Sequence, residues 1–273
     1  MQTAQQRALL IAFGDREVVV RSDDSAVLGA LERIFTMMRA PVSAGRTVGE
    51  LEVCREDGRY AVRGITDVTL EDGSLADVVR HVRYSAIQLL MDARPDLLWF
   101  HAGAAALRGR AVLFPGPPGG GKSSLVTSLC ARGWSYLSDE IAPLDPLSDT
   151  VLPFPQAPAI REYPGREMPP EWVRMANKEE LRLRPDRVCR EPTPIAALVR
   201  PSYRRAARAD LSVGSPATTA LHLLEQCGNF PSHRETAVSY VCALVQRVPG
   251  FSVCFSDGEA AADVVARRLE DCL

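Results

Sequence analysis

Residues 116–124 read GPPGGGKSS. They fit the spacing G-x-x-x-x-G-K-[ST], with Gly116, Gly121, Lys122 and Ser123 at the fixed places. The chemistry behind that spacing is phosphate binding. Glycines let backbone N–H groups converge on phosphate oxygens with no Cβ in the way. Gly116, Gly119, Gly120 and Gly121 supply that backbone, and Ser123 and Ser124 open the stretch that follows. A helix starting there turns its positive end toward the same anion. Lys122 is long enough to reach terminal phosphates, and the Ser123 hydroxyl is a hard oxygen ligand for Mg²⁺. The ligands this pattern predicts are a phosphorylated nucleotide and Mg²⁺.

Two further groups fall within reach of that loop. Asp139 and Glu140 follow Lys122 by a distance that one short helix and one return strand fill. A carboxylate there can ligate Mg²⁺ or accept a proton from an attacking hydroxyl. His101 ends the apolar run before the loop strand. A histidine changes charge near neutral pH, which suits proton transfer. The catalytic candidates are Asp139, His101 and Lys122, and the metal-ligand candidates are Ser123, Asp139 and Glu140. Arg161, Arg166, Arg174, Lys178, Arg182, Arg184 and Arg187 lie in an irregular, proline-rich stretch at 153–194. Cations there could close over a transferring phosphoryl group.

The elements that must position these residues are legible in outline. Ala111–Phe114 is apolar and strand-like, and 124–131 is helix-forming. Residues 97–106 pair with 111–115 through the turn 107–110, so the loop strand gains an antiparallel neighbour. Residues 134–138 form a strand ending at the acidic pair, and 141–145 with 150–154 form another hairpin. The sheet is therefore expected to be mixed. Further on, a strand is expected at 195–200, helices at about 216–227 and 234–247, a strand at 251–255 and a helix at 257–271.

Before the loop, 8–13 and 16–21 alternate around Gly14-Asp15, a hairpin signal. Apolar spacing predicts a helix over 25–38, with Asp24 or Ser25 as its cap. A second hairpin joins 48–54 to 60–65. A long helix follows over about 75–93 and stops before Pro95. Residues 1–95 thus form a small α+β unit without a catalytic motif, and 96–273 form the loop-bearing domain.

Composition narrows the partners. Net charge is −2, with no long run of like charge, so nucleic acid is not the expected partner. No apolar stretch reaches the roughly 20 residues of a membrane span. Seven cysteines, an odd number with no C-x-x-C, suit a reducing cytoplasm better than a zinc site or disulfide frame. Oligomeric state is left open.

His101-Ala102-Gly103, the GPPGGGKS loop, Arg132-Gly133 and Ser138-Asp139-Glu140 together resemble the catalytic domain of HPr kinase/phosphorylase. The stretch is most similar to the HPr-kinase-related kinases that accompany ribosomally made peptides such as lasso peptides. The resemblance covers roughly residues 97–155. It implies a P-loop kinase core with a mixed sheet, shared with phosphoenolpyruvate carboxykinases. It implies an ATP-dependent kinase acting on a serine of a peptide or small protein. Asp139 would activate the substrate hydroxyl, Glu140 would stand at the second acidic position, and His101 at the active-site histidine. The chain departs from the family in placing Ala102 between His101 and Gly103, and in having Glu as its second acid. Two other readings stay open: a small-molecule hydroxyl kinase of shikimate or gluconate type, and a nucleotide-binding regulatory module without transfer chemistry.

Overall fold

The structure is a computed structural model. It describes residues 7–43, 45–56, 58–64, 67–70, 73–158, 172–174 and 181–269, the side chains of 172–174 and 181–183 excepted. The chain divides into two compact units, Met1–Pro95 and Asp96–Leu273.

In the first unit, β1 (Arg7–Phe13) and β2 (Arg16–Ser22) form the expected hairpin about Gly14. Helix α1 (Ser25–Ile34) is capped by Asp24, whose carboxylate accepts from the N–H groups of Ala26 and Val27. Strand β3 (Arg46–Glu56) then lies parallel to β2, so α1 is a crossover. Strands β4 (Arg59–Arg63) and β5 (Val68–Leu70) complete a five-stranded sheet in sequence order. Helix α2 (Leu75–Asp92) begins in a capping box between Ser74 and Asp77. Helix α1 stops four residues before the predicted end at 38. Phe35 and Met38 are buried beyond it in turns, and the Ala12 N–H donates to the Met38 carbonyl. The apolar spacing there records burial and not helix.

The second unit is built on an eight-stranded mixed sheet. Its members are β6 (Leu98–Leu107), β7 (Arg110–Pro115), β8 (Ser135–Ser138), β9 (Ile141–Asp145), β10 (Thr150–Val151), β13 (Thr193–Tyr203), β14 (Asp210–Val213) and β15 (Gly250–Phe255). The strands β11 (Trp172–Arg174) and β12 (Leu181–Leu183) pair apart from it. The path runs β10-β9-β6-β7-β13-β15-β14, with β8 also on β6. Strand β6 is antiparallel to β7, β8 and β9, whereas β13 is parallel to both β7 and β15. The predicted strand 150–154 is shorter than expected. Pro153 and Pro155 have no N–H to continue a ladder.

Period-two alternation sorts the core. Ala102, Ala104 and Ala106 of β6, with Ala111 and Leu113 of β7, share a buried cluster with Leu223 of α4 (Pro216–Leu224) and Tyr240, Val241 and Leu244 of α5 (Phe230–Arg247). The intervening positions, Gly103 and Phe114 among them, face α3 (Lys122–Ala131), which packs beside α6 (Gly258–Leu269). Arg132 ties these two helices together. Its guanidinium reaches the Glu259 carboxylate at 2.6 Å and that of Asp263 at 2.8 Å.

Candidate functional site

The 116–124 loop sits between the end of β7 and the start of α3. Gly119 and Gly121 hold φ of +81° and +91°, values that disfavour any side chain. At Gly121 space is closed as well, since a Cβ would lie 2.5 Å from Cζ of Phe255. Gly121 is the N-cap of α3 and offers no side-chain cap. The orphan N–H groups of the first helical turn are thus left for an anion.

Lys122 is 5% exposed. Its ammonium folds back on its own loop and donates to the carbonyls of Gly116 (2.7 Å) and Pro117 (3.0 Å). Burial pushes it down from 10.5 to about 8, while the nearby charges of Asp139 and Glu140 hold it up. A buried ammonium in the field of two carboxylates, spending its hydrogens on backbone carbonyls, is poised to trade them for stronger anionic acceptors.

The acids occupy a bend between β8 and β9. The Ser138 hydroxyl shapes it by accepting from the N–H groups of Glu140 (3.4 Å) and Ile141 (3.2 Å). The Ala102 N–H donates to the Glu140 carbonyl at 3.1 Å, pinning the bend to β6. Asp139 is 4% exposed, and Glu140 is half-buried. Gly103 explains how Asp139 comes so near the loop helix. A Cβ at 103 would stand 2.8 Å from Cγ2 of Val126 and 3.7 Å from Cα of Asp139. The missing side chain lets α3 and the acidic bend close on the same point of β6.

His101 is half-buried at the point where β6 leaves β9 for β7. Its N–H donates to the Gln226 carbonyl at 2.7 Å, and its carbonyl accepts from the Gly116 N–H at 3.5 Å. Burial, then the Lys122 charge, push its imidazole below the usual value. Glu140 and a hydrogen bond with the Gln226 side chain oppose that shift. His101, Lys122, Asp139 and Glu140 therefore share one electrostatic neighbourhood, and Ser123 heads the adjoining helix. Ser124 stands apart: its Cβ is 3.2 Å from where a Cβ on Gly258 would fall, so it backs onto α6.

The donor set suits Mg²⁺. Two carboxylates and a hydroxyl are hard oxygens, and Mg²⁺ usually takes one or two carboxylates with phosphates and waters completing its shell. Among the described residues no group of three or more His, Cys, Asp or Glu gathers at one point.

Sequence reasoning did not single out three contributors. The Tyr136 hydroxyl donates to the Gln156 carbonyl at 2.7 Å and lies 3.2 Å from Oδ1 of Asp139. Its strand alternation with Ser138 was visible, but not the chain segment that crosses it. Pro201 borders Gly116, and Tyr203 donates its N–H to the Gly120 carbonyl at 3.1 Å. Both come from the far end of β13, and local sequence carries no signal of that approach. Of the arginine-rich stretch, Arg161, Arg166 and Lys178 lie outside the described residues, as do the side chains of Arg174 and Arg182. Arg184 pairs with Asp186 at 2.8 Å. Arg187 reaches toward Gly133, beyond the C-terminal end of the ten-residue α3, about 15 Å from the loop.

No family model matches the chain, and no curated protein matches it. No helix among the described residues is long and apolar enough to cross a membrane.

Proposed function

We propose that the chain is an ATP-dependent, Mg²⁺-requiring kinase that transfers the γ-phosphoryl group to a serine hydroxyl of a peptide or small protein. The observation that carries this reading is the convergence of Asp139, Glu140 and His101 on Lys122 of a glycine-rich loop. A P-loop kinase core of the HPr kinase type agrees with the mixed α/β sheet. A role in ribosomal-peptide tailoring rests on the resemblance noted above.

In this mechanism the loop N–H groups and the α3 N-terminus hold the phosphates. Lys122 leaves the Gly116 and Pro117 carbonyls and donates to phosphate oxygens, where its charge offsets the charge of the transferring group. Ser123, Asp139 and Glu140 would hold Mg²⁺, which when bound neutralises phosphate charge. Asp139 orients the acceptor hydroxyl and takes its proton as the serine oxygen attacks phosphorus and ADP departs. His101, kept neutral near pH 7 by burial and by Lys122, hydrogen-bonds without adding charge.

The test is mass spectrometry of serine-containing peptides after incubation with ATP and Mg²⁺. The wild-type chain is expected to add one phosphate to serine. Asp139→Asn is expected to lower transfer by about 10²- to 10⁴-fold while still binding ATP. Near-normal transfer by Asp139→Asn would remove its assigned role. Transfer only to small hydroxyl compounds would move the activity to the shikimate or gluconate type, and ATP binding with transfer to no acceptor would leave a regulatory module.

A further inference from the structure

The loop strand β7 has unlike flanks. On one side, antiparallel β6 with β8 and β9 brings His101, Asp139 and Glu140. On the other, β13 and β15 run parallel to β7, so their C-terminal ends rise beside the 116–124 loop. In open α/β sheets, ligands gather at the carboxyl ends of parallel strands. Here those ends are Tyr203 and Phe255.

The two residues are register partners, and so share a face of the sheet. Phe255 is buried with its ring tip against Gly121. Tyr203 stands edge-to-face on it, with centroids 6.3 Å apart and planes at 85°, yet is itself 53% exposed. Its backbone N–H is bonded to Gly120 of the phosphate loop. The loop that follows is tied down as well. The Arg204 N–H donates to the Phe255 carbonyl and the Ser256 hydroxyl to the Ala207 carbonyl, both at 2.8 Å. A half-exposed aromatic ring is thus held rigidly by a buried one, next to the phosphate loop and across it from the acids. The core does not need the exposed half of that ring.

We propose that the Tyr203 ring is the stacking platform for the base of the nucleotide whose phosphates occupy the 116–124 loop. The proposal rests on reading that loop as the phosphate site. It assigns the two flanks of β7 to the two ends of the donor: the base to β13 and β15, the terminal phosphate to the acidic bend. Stacking uses the π-face that every base has, so it separates nucleotides from inorganic polyphosphates better than one base from another.

Isothermal titration of the full chain with Mg²⁺–ATP and with Mg²⁺–tripolyphosphate tests this. Tyr203→Ala and Tyr203→Leu are expected to weaken ATP binding by about 5- to 150-fold, while tripolyphosphate affinity stays within about twofold. Tyr203→Phe is expected to keep wild-type ATP affinity. Two results overturn the proposal: equal losses for both ligands, which would make the ring a brace for the loop, or unchanged ATP affinity in the Ala and Leu variants. Lys122→Ala is expected to weaken both ligands. If it weakens neither, or if the wild-type chain binds neither, the phosphate-loop reading itself fails and this one falls with it.

Discussion

If the 116–124 loop holds a nucleotide as proposed, Lys122 makes the affinity depend on pH in a direction set by its burial. In the free protein, burial holds its ammonium at about 8, against the ordinary 10.5. Bound phosphates replace two carbonyls with anions, which favours the charged form and returns the group toward its ordinary value. Binding then takes up a proton wherever Lys122 is neutral in the free protein and charged in the complex. Below pH 8 the lysine is charged in both states, and its contribution to affinity is flat. Above pH 8 the ATP dissociation constant should rise, by at most about tenfold per pH unit, until about 10.5. The ceiling on the whole effect is roughly 10^2.5-fold, or about 3.4 kcal/mol. Titration calorimetry at pH 9 in two buffers of different ionisation enthalpy measures the proton uptake directly, and up to about one proton per ATP is expected. Lys122→Arg, which stays charged throughout, should abolish both the uptake and the slope. A dissociation constant that is flat from pH 7 to 9.5 in the wild-type chain, or a slope that survives in Lys122→Arg, would rule out Lys122 as the titrating group. The same group bears on stability with the opposite pH trend. The unfolded chain binds the lysine proton more tightly, so this contribution rises with pH between about 8 and 10.5 and is lost as pH falls through 8.

Two further perturbations test the frame around the site. Gly121→Ala places a Cβ at a positive φ and against the Phe255 ring, so it should cost about 1–3 kcal/mol in thermal or urea unfolding and weaken tripolyphosphate binding; an unchanged midpoint would contradict the loop geometry. Tyr136→Phe strips the donor from the buried Gln156 carbonyl and from the neighbourhood of Asp139, with an expected loss of about 1–3 kcal/mol in unfolding and a displaced pH–rate profile for transfer. A profile identical to wild type would show that the hydroxyl does not tune Asp139.

What the sequence made legible was local. The glycine and lysine spacing, the turn at 107–110 and the cap at Asp24 each act over a few residues, and the elements they specify are present. Mixed pairing in the sheet followed from the short links between strands. Long-range pairing was not legible. The parallel join of β2 to β3, and the entry of β13 between β7 and β15, depend on which apolar faces meet, and a strand's own pattern does not name its partner. The overlong helix at 25–38 has the same cause: Phe35 and Met38 keep the apolar period because they are buried, although the backbone has already turned. At the candidate site, chemistry and spacing singled out the acids and the histidine, which the structure places in one electrostatic neighbourhood with Lys122. Pro201, Tyr203 and Phe255 were missed because they reach the loop from strands far along the chain.

The parallel pairing of β13 with β7 also has a kinetic meaning. The β6–β7 hairpin can close early, since its partners are joined by a short turn. Pro201 and Tyr203, however, reach the loop only after residues 193–203 have returned across a long stretch of chain to 110–115. Closing that non-local pair is slow, and until it happens the glycine loop lacks the wall that gives it its shape. The loop should therefore take its final shape late in folding, with the arrival of β13, and the proposed nucleotide binding with it. A ligand that binds only that finished state would slow the escape from it, protecting the chain at its last-formed seam.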